Sequence, residues 1–106
     1  MRTASYESAR SMKVIVTGGL SGGIGAWSGE GIKAVTAVRT AVGAYSIWFT
    51  GMRQIRNISG VSLTGALGFI QGVIGPDANE VRIWTYNSAG ALTDTNYYFS
   101  VEGIGP

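Results

Sequence analysis

Histidine and cysteine are both absent from this chain of 106 residues. Without cysteine there is no disulfide framework and no thiolate metal site. Without histidine the chain lacks the commonest general base, the usual physiological pH switch and the favoured metal ligand. Charge is scarce as well: Asp, Glu, Lys and Arg make up 13% of the residues, about half the ordinary share. The formal net charge is +2, and Arg2, Arg10 and Lys13 set against Glu7 account for all of it, so the rest of the chain is neutral. A nucleic-acid binder would cluster Lys and Arg on one face; this chain is expected to bind no nucleic acid. No run of 18 consecutive apolar residues is present, so no membrane-spanning helix is expected.

What is abundant is glycine, with 17 residues, together with Val, Ile, Trp and Tyr. Low charge with ample β-branched and aromatic residues argues against disorder. The length suits one domain with a modest core. Residues 1–11, "MRTASYESARS", are polar and aperiodic and read as an N-terminal arm. Residues 12–106 read as a single domain.

Within that domain the periodicity is two, not 3.6. "AYSIWFT" (Ala44 to Thr50) sets Tyr45, Ile47 and Phe49 on one face and Ser46, Trp48 and Thr50 on the other. "IKAVTAVRT" (Ile32 to Thr40) precedes it, and Val42-Gly43 supplies the turn of a hairpin. "EVRIWTY" (Glu80 to Tyr86) alternates Val81, Ile83 and Thr85 with Arg82, Trp84 and Tyr86, after a turn signal in "GPDAN". "NYYFSVEGI" (Asn96 to Ile104) closes the chain with Tyr97, Phe99 and Val101 on one face. Lys13 to Thr17 and the glycine-broken segments Ile55 to Thr64 and Ala66 to Ile74 complete the set. Six to eight short strands at intervals of roughly ten residues predict an all-β fold, an antiparallel β-sandwich or jelly roll.

One motif suggests a cofactor. "MKVIVTGGLSGGIG" (Met12 to Gly25) looks like the strand and glycine turn that open a dinucleotide-binding domain. There, phosphates rest on the N-terminus of the helix that follows. Here four residues separate Thr17-Gly18 from Gly23-Ile24-Gly25, where the dehydrogenase pattern has three. The next residues, "AWSGEGIKAV", carry Gly29 and Gly31 and do not suit a helix. That family's Tyr-xxx-Lys is missing, and no Gly-Lys-Ser/Thr marks a P-loop. No cofactor is expected. Gly18 to Gly31, with seven glycines, reads instead as a loop carrying Trp27 as a docking anchor.

The carboxylates Glu7, Glu30, Asp77, Glu80, Asp94 and Glu102 fall in the arm, in turns and at strand ends, with neither glycosidase pairing nor calcium-loop spacing. The chain is expected to be neither an enzyme nor a metal protein. Trp48 and Trp84 fall opposite the apolar runs of their strands. With Tyr86 and Tyr98 they are expected to form an outward aromatic patch for subunit contact or carbohydrate stacking.

Two further segments carry a family resemblance. "AVRTAVGAYSIWFTG" and "NEVRIWTYNSAGALTDTNYYFSVEGIG" resemble, in that order, segments of tailed-bacteriophage virion proteins: capsid decoration proteins, head fibres and tail-fibre domains. The likeness runs from Val35 to Gly105. It rests most on Arg39-Thr40, Gly43 and Tyr45, and on the spacing from Asp94 to Phe99. It implies a β-sandwich, usually trimeric, with no catalytic residues, made in the host cytoplasm and located on the capsid surface. The implied partner is the major capsid protein, and a fibre domain that contacts host carbohydrate is the alternative. On this reading the contact residues are Trp27, Trp48, Trp84, Tyr86 and Tyr98, with Arg2 and Arg10 carrying the arm to an adjacent subunit.

Overall fold

A computed structural model describes residues 11–19, 24–65 and 67–105. The expected arm, with Arg2 and Arg10, lies outside the described residues. Eight antiparallel strands form two four-stranded sheets stacked as a β-sandwich. They are β1 (Ser11–Gly18), β2 (Ile24–Ser28), β3 (Ala34–Ala41), β4 (Ala44–Thr50), β5 (Gln54–Leu63), β6 (Gly68–Ile74), β7 (Glu80–Asn87) and β8 (Tyr97–Ile104). Sheet A has the order β2-β1-β8-β5, and sheet B has the order β3-β4-β7-β6. The first and last strands lie side by side at the centre of sheet A.

Alternation decides what each strand buries. Val14 and Val16 of β1, Tyr45, Ile47 and Phe49 of β4, Val81 and Ile83 of β7, and Tyr97, Phe99 and Val101 of β8 are all at or below 1% exposure. They meet between the sheets in one core. Rings dominate the contact. Phe49 stands edge-on to Phe99 with centroids 6.1 Å apart, and Tyr45 lies 5.1 Å from Tyr97. Both spacings fall in the favourable range for aromatic pairs. The faces expected from "AYSIWFT", "EVRIWTY" and "NYYFSVEGI" are therefore the ones observed.

The reading of Gly18 to Gly31 as one loop needs correction. Ile24–Ser28 forms edge strand β2, paired with β1 through Ile15↔Ser28, Val16↔Trp27 and Thr17↔Ala26. Trp27 therefore sits on a strand. Partners directly opposite in an antiparallel pair point to the same side, so Trp27 shares the side of the buried Val16, yet it remains 37% exposed. Neither the glycine content nor the short length of the segment reveals this strand, because its pairing depends on β1 alone. Strand β1 also begins at Ser11, one residue inside the expected arm.

Two glycines have physical reasons to be glycine. Gly43 holds φ at +69° in the β3–β4 turn, and a Cβ there would lie 2.6 Å from the Thr85 carbonyl oxygen. Gly18 faces Tyr97 across the β1–β8 ladder, and a Cβ there would sit 2.2 Å from the phenol ring. The ring occupies the space that the glycine leaves. The Tyr97 hydroxyl is buried, and it is the one such side-chain polar atom without a hydrogen-bond partner among the described residues. Burial, with Tyr45 alongside, pushes its phenol pKa up.

A buried hydroxyl with no partner costs stability, whereas the apolar isostere does not. Tyr97→Phe is therefore expected to leave urea stability unchanged or to raise it by up to about 1 kcal/mol. Phe99→Ala, by contrast, is expected to lower it by about 3–5 kcal/mol.

Candidate contact surface

The side chains that β4 and β7 turn away from the core lie on the outer face of sheet B. Strand pairing sets Trp48 beside Glu80, Ser46 beside Arg82, and Ala44 beside Trp84. On the other side of β7, Tyr86 pairs with Phe69, Trp84 with Gln71, and Arg82 with Val73. Trp48, Trp84 and Tyr86 therefore share one face, each half-buried. The two indoles are four positions apart along the ladder, about 13 Å.

Each end of this row is pinned by hydrogen bonds. Trp48 Nε1 donates to Asp77 Oδ2 at 3.0 Å, which ties the indole to the Gly75–Asn79 turn. Beneath that turn Glu80 is 1% exposed. Its Oε2 accepts from Arg82 Nε at 3.0 Å and its Oε1 from the Asp77 backbone N–H at 3.3 Å. At the other end Tyr86 donates its hydroxyl to Gln71 Oε1 at 3.4 Å. A recess of about 300 Å³ between these ends is lined by Thr40, Ala44, Ser46, Arg82 and Trp84 among others. The face therefore offers fixed aromatic rings around one guanidinium.

Sequence reasoning misses part of this surface. Phe69 is 59% exposed and Val73 36%, and both extend the aromatic row onto β6. The signal was the alternation Phe69, Gln71, Val73, but only pairing with β7 shows that it continues the same face. Tyr98 does not belong to it. It lies on the outer face of sheet A, opposite Thr17 and Ser62, so the expected single patch is split between the two sides of the sandwich. Trp27 stands apart as well, on β2 at the edge of sheet A.

Sheet A presents a different surface. Lys13, Glu102 and Asn57 lie in one row across β1, β8 and β5, and Asn57 Nδ2 donates to Glu102 Oε1 at 3.2 Å. Ser59 and Ser100 share a 2.6 Å hydroxyl contact nearby. This side is mainly polar, with Tyr98 and the exposed Ile15 among its residues, where sheet B is aromatic.

The motif residues Arg39, Gly43, Tyr45 and Asp94 meet at one point, at the end of the sandwich. Arg39 Nε donates to both Asp94 oxygens at 3.1 and 3.0 Å. Asp94 Oδ1 also accepts the Gly43 N–H at 2.7 Å and the Tyr45 hydroxyl at 3.1 Å. The carboxylate clamps the β3–β4 turn to the β7–β8 connection, and the Thr85 N–H donating to the Gly43 carbonyl and the Thr93 N–H donating to the Thr85 carbonyl reinforce it. Among the described residues every hydrogen bond that Asp94 makes goes to a neighbouring element of the fold, so this polar cluster is a structural joint. Among the described residues no group of three or more Asp or Glu is placed to hold a metal ion.

Comparison of the chain with protein-family models, with curated proteins and with solved structures finds no match. The functional reading therefore rests on this surface and on the sequence resemblance.

The Arg39 hydrogen bond, followed by the Gly43 N–H, holds the Asp94 carboxyl below the ordinary carboxylate range. A carboxylate with a depressed folded-state pKa contributes stability above its unfolded pKa, and that contribution disappears as pH falls through the folded value. Asp94→Asn is therefore expected to melt earlier than the parent near neutral pH. The gap between the two melting temperatures should begin to narrow below about pH 4 and close as the pH falls through the lowered folded-state value.

Proposed function

We propose that this protein is a structural component of a bacteriophage virion that binds the assembled capsid as a decoration or cement protein. The observation that carries the reading is the placement of Trp48, Trp84 and Tyr86 on one outward face, extended by Phe69 and Val73. Contact surfaces that bind by shape and apolar area are enriched in aromatics and in Arg, with few other charges. The outer face of sheet B has that composition, with Arg82 at its centre and its carboxylates, Glu80 and Asp77, already engaged by Arg82 and Trp48. The resemblance of Val35 to Gly105 to virion proteins supplies the partner, the major capsid protein.

A fibre or appendage domain is the second reading. The observation in its favour is the recess beside Trp84, where an indole face adjoins Ser46, Thr40 and Arg82. Rings flanked by hydroxyl and guanidinium donors suit a sugar, which offers an apolar face and a rim of hydroxyls.

The purified protein is expected to co-sediment with capsids assembled without it. Trp48→Ala and Trp84→Ala should each weaken that binding at least tenfold, about 1.4 kcal/mol, in variants that a thermal melt shows to be folded at the assay temperature. Failure of the parent to sediment, or undiminished binding by both variants, would overturn the capsid reading. Glycan-array binding that Trp84→Ala abolishes would replace it with the appendage reading.

A further inference from the structure

Two stacked four-stranded sheets leave four edge strands, β2 and β5 in sheet A and β3 and β6 in sheet B. An open edge is a template for pairing with another chain, and proteins blunt such edges with short strands, bulges and charges. Three of the four edges here are blunted. Strand β2 has five residues and a register shift opposite Thr17/Gly18. Strand β3 carries Arg39 and a shift between Arg39 and Ala41. Strand β5 carries Arg56 and two shifts, at Ile55/Asn57 and Ile58/Gly60.

Strand β6 has none of these devices. "GFIQGVI" pairs with β7 in unbroken register over seven residues. No charged residue occurs between Arg56 and Asp77. Phe69, Val73 and Ile74 are 59%, 36% and 44% exposed, and Leu67 just before the strand is 87% exposed.

We propose that β6 is a homotypic interface, at which two copies of this chain pair β6 against β6 about a two-fold axis through Gln71. The backbone and the side chains agree on this geometry. Gly75 donates its N–H to the Glu80 carbonyl at 2.8 Å, continuing the β6–β7 ladder. Bonded positions alternate along an antiparallel pair. Residues 69, 71 and 73 therefore bond to β7, and Gly68, Ile70, Gly72 and Ile74 turn their N–H and C=O groups to the open edge.

An antiparallel pairing that keeps outward side chains on one face must set odd positions against odd. Centring it on Gln71 uses the whole strand: Gly68 faces Ile74 of the second copy, Ile70 faces Gly72, and Phe69 faces Val73. Two aromatic–β-branched pairs form on the outer face, with the two Gln71 amides between them. The edge is neutral, so the two-fold superposes no like charges; a strongly charged partner would gain nothing from it. The product is one continuous eight-stranded sheet with the Trp84 rows of both copies on the same side. This pairing does not depend on the virion reading, and it makes the assembly a two-fold dimer in place of the trimer that the resemblance implies.

Light scattering after size exclusion tests the proposal on the full chain. The parent is expected to have the mass of a dimer. In this register residue 69 faces residue 73 twice, so the double variant Phe69→Lys/Val73→Lys sets lysine against lysine and should raise the dimer dissociation constant at least tenfold. Phe69→Lys/Val73→Glu sets lysine against glutamate and should restore the dimer. Both substitutions are at exposed positions, and a thermal melt confirms that each variant is folded. A parent that is monomeric or trimeric would overturn the proposal. So would a folded Lys/Glu variant as dissociated as the Lys/Lys one.

Discussion

The gap between the two sheets is closed by rings, and the rest of the structure follows from that closure. Tyr45 and Phe49 reach down from β4 to Tyr97 and Phe99 of β8, in contacts of 5.1 and 6.1 Å. Successive strand residues point to opposite faces. Burying Tyr45, Ile47 and Phe49 therefore leaves Ser46 and Trp48 no choice but the outer face, and burying Val81 and Ile83 does the same to Arg82 and Trp84. A one-residue slip of either strand would exchange core and surface completely. The aromatic outer face is thus a by-product of how the core is packed.

Polar groups hold both ends of β7 in this sandwich. Asp94 gathers Arg39, Gly43 and Tyr45 and joins the β3–β4 turn to the β7–β8 connection. Glu80 plays a similar part at the opposite end of β7, under the Gly75–Asn79 turn, with Arg82 and the Asp77 N–H as partners. Each carboxylate works because its acceptor sites are filled by nearby donors, so neither is left uncompensated in a partly dehydrated place. The segments that carried the family resemblance therefore mark a joint of the fold.

The two outer faces divide the labour by composition. Sheet A shows Lys13, Glu102, Asn57 and Ser59 to its surroundings, with Tyr98 as the one ring on its outer face among the described residues, while sheet B shows indoles, phenol and phenyl rings around Arg82. The sandwich is therefore asymmetric in the chemistry of its two outer faces. Among the described residues the one edge without a bulge, a charge or a shortened strand, β6, borders the aromatic side. Pairing there would extend the aromatic surface without altering the core.

Much of this was legible in the residue order. The all-β class, the Val42-Gly43 hairpin, the turn at Gly75–Asn79 and the inward faces of β4, β7 and β8 all follow from period-two alternation and turn chemistry, which are local properties. Strand β2 was not legible, because a glycine-rich segment becomes a strand only when β1 lends it a partner. Nor was the separation of Tyr98 from Tyr86, since alternation says which side of its own strand a residue takes and not which sheet the strand joins. The meeting of Arg39 with Asp94, 55 positions apart, is likewise a product of topology. By itself the sequence determined what could be buried and what could turn. Only the tertiary structure decided which exposed rings share a face and which strand edge stays open, because both depend on pairings between segments distant in the chain.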